Sequence, residues 1–259
     1  MLLLIFISSG FLFGCARKTQ SIVLAGSTAF QPFAEKLAEV YMEKHPNVTI
    51  DVQGGGSALG IMTALQGIVD IGMADMVKLP KEADPLTKTI VAMDGIAIIV
   101  NEKNSISKLT SIEAQKVFSG DITDWSQLGP KKGNIRVISR EDGSGTRKSF
   151  DKLVLGKIKL TKNAMYQDSN GTIREAIKSD PNSIGYISIG FLIPGVKPLV
   201  FDGVAPTNEN VKKGIYKIFR PVYFLTNGEP GRLAQKFINF MLSDEAQSII
   251  KKDGLISIK

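Results

Sequence analysis

Three residue types are nearly missing from this 259-residue chain, which has one cysteine, one histidine and one tryptophan. A single thiol excludes an internal disulfide framework. One histidine and one cysteine also exclude the paired ligand spacings of zinc sites. Neither a Walker loop nor a dinucleotide fingerprint occurs. The histidine, His45, stands in Lys44-His-Pro-Asn47, a stop between a helical and a strand pattern, and reads as a solvent-exposed turn residue. Neighbouring carboxylates such as Glu141-Asp142 are close in sequence without thereby flanking a substrate. No nucleophile, base and orienting group assemble from these residues, so the sequence argues against an enzyme. No basic stripe interleaved with aromatics is found either, and the chain fits none of the common nucleic-acid modules. The net charge of +7 is spread over scattered Lys and Arg that alternate with acids, a solvated surface mildly favourable to anions.

What opens the chain is an apolar run, Met1-Leu-Leu-Leu-Ile-Phe-Ile-Ser-Ser-Gly-Phe-Leu-Phe13. At about a dozen residues it is too short to span a bilayer and suits the core of a signal peptide over residues 1–14. Its end, Leu12-Phe13-Gly14 before Cys15, resembles the bacterial lipobox, in which the cysteine is lipidated and becomes the mature N-terminus. No Lys or Arg precedes the run, and a translation start further upstream would supply one. About 245 residues follow from Cys15 on, enough for two modest domains.

Three units then repeat one plan of apolar strand, small polar turn and helix. Ile22-Val-Leu24 runs into Ala25-Gly-Ser-Thr-Ala29, after which Phe33, Leu37, Val40 and Tyr41 fall on one helical face. Val48-Thr-Ile-Asp-Val52 meets Gln53-Gly-Gly-Gly-Ser57, and Leu59, Met62 and Leu65 continue as a short helix. Ile135-Arg-Val-Ile138 meets Ser139-Arg-Glu-Asp-Gly-Ser-Gly-Thr-Arg147, with a helical pattern behind it. This order predicts an α/β protein with ligands at the carboxyl ends of its strands. Two apolar strands, Asp94-Gly-Ile-Ala-Ile-Ile-Val-Asn101 and residues 216–225, lie more than a hundred residues apart. They suggest two lobes, residues 21–95 with 221–259 and residues 96–220, joined by two crossings that form a hinge. Residues 231–252 read as one long amphipathic helix carrying Leu233, Phe237, Phe240 and Met241.

The chemistry concentrates in the turns. Ser27 and Thr28, Ser57, and Ser144 and Thr146 each stand at a predicted helix start, where unpaired N–H groups and the helix dipole favour an anion. Each has an ordinary use as a helix cap. Three hydroxyl-rich turns together with the fixed positive fork of Arg140 point instead to one shared oxyanion site. Asp75, closing Val69-Asp-Ile-Gly-Met-Ala-Asp75, discriminates among oxyanions. A carboxylate repels a bound anion unless the ligand brings a proton to donate. Phosphate at neutral pH carries one or two protons and sulfate none, so a water-excluded acceptor favours phosphate.

The motifs Gly26-Ser-Thr-Ala29, Gly54-Gly-Gly-Ser57, Asp70-Ile-Gly-Met-Ala-Asp75 and Arg140-Glu-Asp-Gly-Ser-Gly-Thr146 occur in an order that resembles the phosphate-binding proteins of bacterial and archaeal ABC importers. Val117-Phe-Ser-Gly-Asp-Ile-Thr-Asp-Trp-Ser126 and Ser183-Ile-Gly-Tyr-Ile-Ser188 extend the resemblance over nearly the whole mature chain. It implies a type II periplasmic-binding-protein architecture, two α/β lobes closing on the ligand. Carried over by position, Ser27, Thr28, the Ala29 amide, Ser57, Asp75, Arg140, Ser144, Gly145 and Thr146 would contact phosphate. Asp142 would hold Arg140 in place, and Trp125 would pack rather than bind. Ala74 replaces a serine found in many relatives, which removes one donor and keeps the acceptor. The implied protein is a monomeric, lipid-anchored extracytoplasmic receptor that needs no cofactor or metal, delivers inorganic phosphate to an ABC permease and catalyses nothing. A receptor for sulfate, molybdate or tungstate keeps the same fold, and a secreted phosphatase is the rival from another class.

Overall fold

The computed structural model describes residues 19–130 and 132–259, so the expected signal segment 1–14 and Cys15 lie outside the described residues. The first run of elements is β1 (Gln20–Gly26), α1 (Gln31–Lys44), β2 (Val48–Gly55), α2 (Ser57–Leu65) and β3 (Ile71–Ala74). The long strand β4 (Thr87–Asn101) leads to β5 (Lys108–Leu109), α3 (Ser111–Ser119), β6 (Arg136–Arg140), α4 (Gly145–Phe150), β7 (Met165–Gln167) and α5 (Asn170–Ser179). Then come β8 (Ser183–Ser188), β9 (Val196–Pro198), β10 (Val200–Phe201), α6 (Asn208–Lys212), β11 (Phe219–Thr226), α7 (Arg232–Met241) and α8 (Asp244–Lys252). No helix among the described residues is long and apolar enough to cross a membrane.

The strands order as β2-β1-β3-β11-β4-β8-β6-β7, with β9 also on β4 and β5 paired to β10 alone. β2, β1 and β3 are parallel, and β11 runs antiparallel between β3 and β4. β4 belongs to both halves: residues 87–95 pair with β11, and residues 96–100 pair with β8. Its second half, Ile96-Ala-Ile-Ile-Val100, is buried throughout, as expected for a strand covered on both faces. One core gathers Leu24, Leu37, Ile71, Ala92, Phe224 and Phe237, and another gathers Ile96, Trp125, Val137, Tyr186 and Ile218. The chain changes core at 92–96 and again at 218–222, giving two α/β lobes joined where β4 and β11 run side by side. Trp125 is fully buried in the second core and donates from Nε1 to the Asn182 carbonyl at 3.0 Å, so it packs as expected. His45 is exposed, stacked on Tyr41 with ring centroids 4.0 Å apart.

One expectation about helices is corrected. Residues 231–252 form two helices, because Ser243 accepts from the Ala246 amide at 3.3 Å and starts α8 afresh. Ser243-Asp-Glu245 supplies an N-cap followed by acids in the first turn, a start signal that amphipathic spacing masks. In α2 the packed face is Gly60, Ile61 and Ala64, while Leu59 and Met62 are half exposed. A Cβ at Gly60 would stand 2.5 Å from the Met73 carbonyl oxygen and 2.8 Å from that of Ala25. Bare backbone therefore decides which face of this all-round apolar helix meets the sheet. Because those neighbours are main-chain atoms, Gly60→Ala must lift α2 away from β1 and β3. Urea unfolding of that variant is expected to show a loss of about 1–3 kcal/mol.

Candidate functional site

The turns singled out in the sequence meet where the lobes face each other. After β1, Ser27 is buried and its Oγ accepts from the Phe30 amide at 3.1 Å, fixing the entry to α1. Thr28 is half-buried and Ala29 buried beside it. Ser57 opens α2 and is fully buried; its Oγ donates to Asp75 Oδ1 at 2.5 Å and accepts from the Asp75 amide at 3.1 Å. Asp75 follows β3 directly and is 2% exposed. From the other lobe Ser144 caps α4 by accepting from the Arg147 amide at 3.2 Å, with Gly145 and Thr146 as the first helical residues.

The two walls touch. The Ala58 amide donates to the Gly143 carbonyl at 3.1 Å, and Arg140 Nη2 donates to Thr28 Oγ1 at 3.0 Å. A Cβ on Gly145 would lie 2.3 Å from both Asp75 Oδ1 and Ser57 Oγ, so only glycine lets the start of α4 press onto that pair. The open groove nearby, about 640 Å³ and lined by Ile61, Met62, Leu79 and Pro80 with several lysines, is apolar and contains none of these polar residues.

Arg140 is 1% exposed, yet it is held on several sides. Nε donates to Glu141 Oε2 at 3.0 Å and to the Gln167 carbonyl at 3.1 Å; Nη2 donates to Glu141 Oε1 at 2.9 Å and to the Asp168 carbonyl at 2.8 Å. The orienting carboxylate is thus Glu141, and the expectation for Asp142 is corrected. Asp142 leaves the end of β6 toward solvent and reaches only Arg147, at 3.9 Å. Behind the loop, Ser139 Oγ lies 2.7 Å from Tyr186 Oη, and Tyr186 stacks on Phe150 at 3.9 Å. Burial pushes the Tyr186 hydroxyl far up, so it remains a neutral hydrogen-bonding group.

One residue of the cluster went unassigned in the sequence. Arg220 on β11 is fully buried, with Nη2 2.6 Å from Asp75 Oδ2 and 2.8 Å from Asp94 Oδ2. Asp94 Oδ1 accepts from Ser188 Oγ at 2.6 Å. Burial raises the Asp94 carboxyl above the usual carboxylate range, against the opposing pull of Arg220 and the Ser188 hydroxyl. The signal was a charged residue inside each of two apolar strands, which burial renders costly unless paired. Among the described residues, Arg140 Nη1, Arg220 Nε and Nη1, and Asn170 Nδ2 are buried donors without a hydrogen-bond partner. Asp75 Oδ2 accepts no hydrogen bond either, and its 2.6 Å contact with Arg220 Nη2 is an ion pair. No group of three His, Cys, Asp or Glu among the described residues could hold a metal ion. The cluster offers cationic and hydroxyl donors with one carboxylate acceptor, a set suited to a small protonated oxyanion.

Known proteins share this fold and these lobes. The model of the PBP superfamily domain matches residues 15–245. The phosphate-binding protein PstS of Bacillus subtilis (strain 168) is 34% identical over 250 residues, which cover 95% of this chain and 83% of that protein. A phosphate ABC transporter substrate-binding protein from Clostridium perfringens, solved with bound phosphate, superposes with a TM-score of 0.89 at 37% identity, covering 93% of this chain and 100% of that one. An ABC-type phosphate transport receptor from Vibrio cholerae gives 0.76 at 33% identity, covering 91% and 99%. The chain therefore belongs to the PBP superfamily and, within it, to the family of phosphate-binding proteins that includes PstS.

Proposed function

We propose that this chain is an extracytoplasmic receptor that captures inorganic phosphate between its lobes and delivers it to an ABC permease, without catalysing a reaction. The observation that carries this reading is Asp75, an acceptor buried among donors at the meeting of two lobes. Thr28, the Ala29 amide, Ser57, Arg140, Ser144, Gly145 and Thr146 supply the donors, with Ser27 at the edge of the set. The phosphate-bound relative from Clostridium perfringens supports the ligand. The lobes are residues 21–95 with 221–259 and residues 96–220, and the two crossings act as the hinge about which ligand binding favours closure. The lipobox-like end at Cys15, where the family match also begins, supports a lipid anchor at the outer side of the cell membrane, and the receptor acts as a monomer.

Isothermal titration at neutral pH is expected to show phosphate binding and no comparable binding of sulfate, molybdate or tungstate. Equal affinity for phosphate and sulfate would overturn the assignment. Asp75→Asn is expected to narrow the preference for phosphate over sulfate at least tenfold, because an amide accepts and donates where the carboxylate only accepts. The same titrations separate the two neighbouring carboxylates. Glu141→Ala is expected to weaken phosphate binding several-fold, about threefold to tenfold, by freeing one side of the Arg140 fork. Asp142→Asn is expected to change it by less than about twofold, as for an exposed charge.

A further inference from the structure

Arg220 and Asp94 are direct partners across the two strands that join the lobes, in register in the antiparallel β11–β4 pair. Arg220 then reaches sideways to Asp75 at the end of β3, the next strand over. Asp94 reaches the other way, to Ser188 at the end of β8. The Ser188 amide in turn donates to Asn170 Oδ1 at 2.9 Å, at the start of α5. All five residues are at most 2% exposed. Such a run of buried charge is costly, and removing one member strands the others. The same strands carry buried apolar side chains nearby, Ile96 on β4 and Val222 and Phe224 on β11.

We propose that Arg220 is a positioning residue that sets ligand selectivity by holding Asp75 as a fixed, acceptor-only carboxylate. This inference rests on the reading of the site as a phosphate site. Arg220 and Ser57 divide the carboxylate between them, Arg220 at Oδ2 and Ser57 at Oδ1, which fixes its plane. Their contacts leave further lone pairs on both oxygens, so a ligand proton still finds an acceptor. Without the guanidinium, Asp75 and Asp94 face one another and the anionic ligand with no cation between them. With Ser57 as its one remaining side-chain partner, the Asp75 carboxylate is then free to turn away from Asp94 and from the anion. A ligand proton then loses its partner, and an oxyanion without protons no longer meets a fixed acceptor. Arg220 thereby excludes sulfate by keeping the Asp75 acceptor turned to the ligand.

The test is calorimetric titration of the full chain with phosphate and with sulfate, comparing wild type, Arg220→Met and Arg220→Lys. Arg220→Met is expected to weaken phosphate about thirtyfold and to gain measurable sulfate binding, so that the ratio of the two affinities collapses. Arg220→Lys keeps a cation beside Asp75 and is expected to restore most of that ratio. The double variant Arg220→Met with Asp94→Asn removes both buried partners together and carries the same expectation where the single variant does not fold. A ratio equal to wild type in the methionine variants overturns the inference. So does an equal loss for both ligands, the result of a direct contact between Arg220 and the anion or of a purely structural role. Wild type that binds no phosphate overturns the proposed function and this inference with it, whereas the other failures leave the function standing.

Discussion

A carboxylate buried beside the seat of an anion drives that anion away unless something fixes its charge. In this protein the counterweight is Arg220, lodged between Asp75 and Asp94 with no exposure to solvent. Much of the architecture bears on that contact. β11 must lie between β3 and β4, because only the middle strand can offer one side chain to both neighbours. Gly145 must lack a Cβ, because the second lobe closes directly onto the Ser57–Asp75 pair. Gly60 must lack one too, because α2 carries Ser57 and has to lie close on β1 and β3.

The donors are arranged on a different principle. Arg140 is neutralised partly by Glu141 and partly by main-chain carbonyls of residues 167 and 168, which fix the guanidinium without adding full negative charge. Dipoles orient a cation at a smaller electrostatic cost to a neighbouring anion than a second carboxylate would impose. Hydroxyls at helix starts serve two purposes at once: Ser144, the N-cap of α4, and Ser27, in the turn before α1, each accept one amide and each keep a proton to give.

The strand-turn-helix units, the three hydroxyl-rich turns and the Arg140 loop were legible because each is local. Glycine, hydroxyl and apolar spacing within a dozen residues decides them. What was not legible depends on pairing over long separations. Arg220 and Asp94 stand 126 positions apart and meet only through strand register. Glu141 and Asp142 are equivalent by composition, and the direction in which β6 ends determines which one turns inward. The break between α7 and α8 was written in Ser243-Asp-Glu245, yet the apolar spacing runs across it and hides the cap. The packed face of α2 is set by Gly60, whose missing Cβ lets the helix lie on the carbonyls of Met73 and Ala25, contacts made across strands that local spacing does not reveal.

The hydrogen bond from the Ala58 amide to the Gly143 carbonyl joins the lobes without using any side chain. A single such bond contributes about 1 kcal/mol net, roughly a fivefold shift in favour of the shut arrangement. That shift is present before any ligand arrives, and substitution of the cleft side chains does not remove it. Since only the shut fraction offers every donor at once, apparent affinity scales with its population. Tightness of capture is therefore divided between the groups that grip the anion and a backbone clasp indifferent to its identity. Relatives with the same cleft can differ in affinity through the clasp while discriminating among anions in the same way.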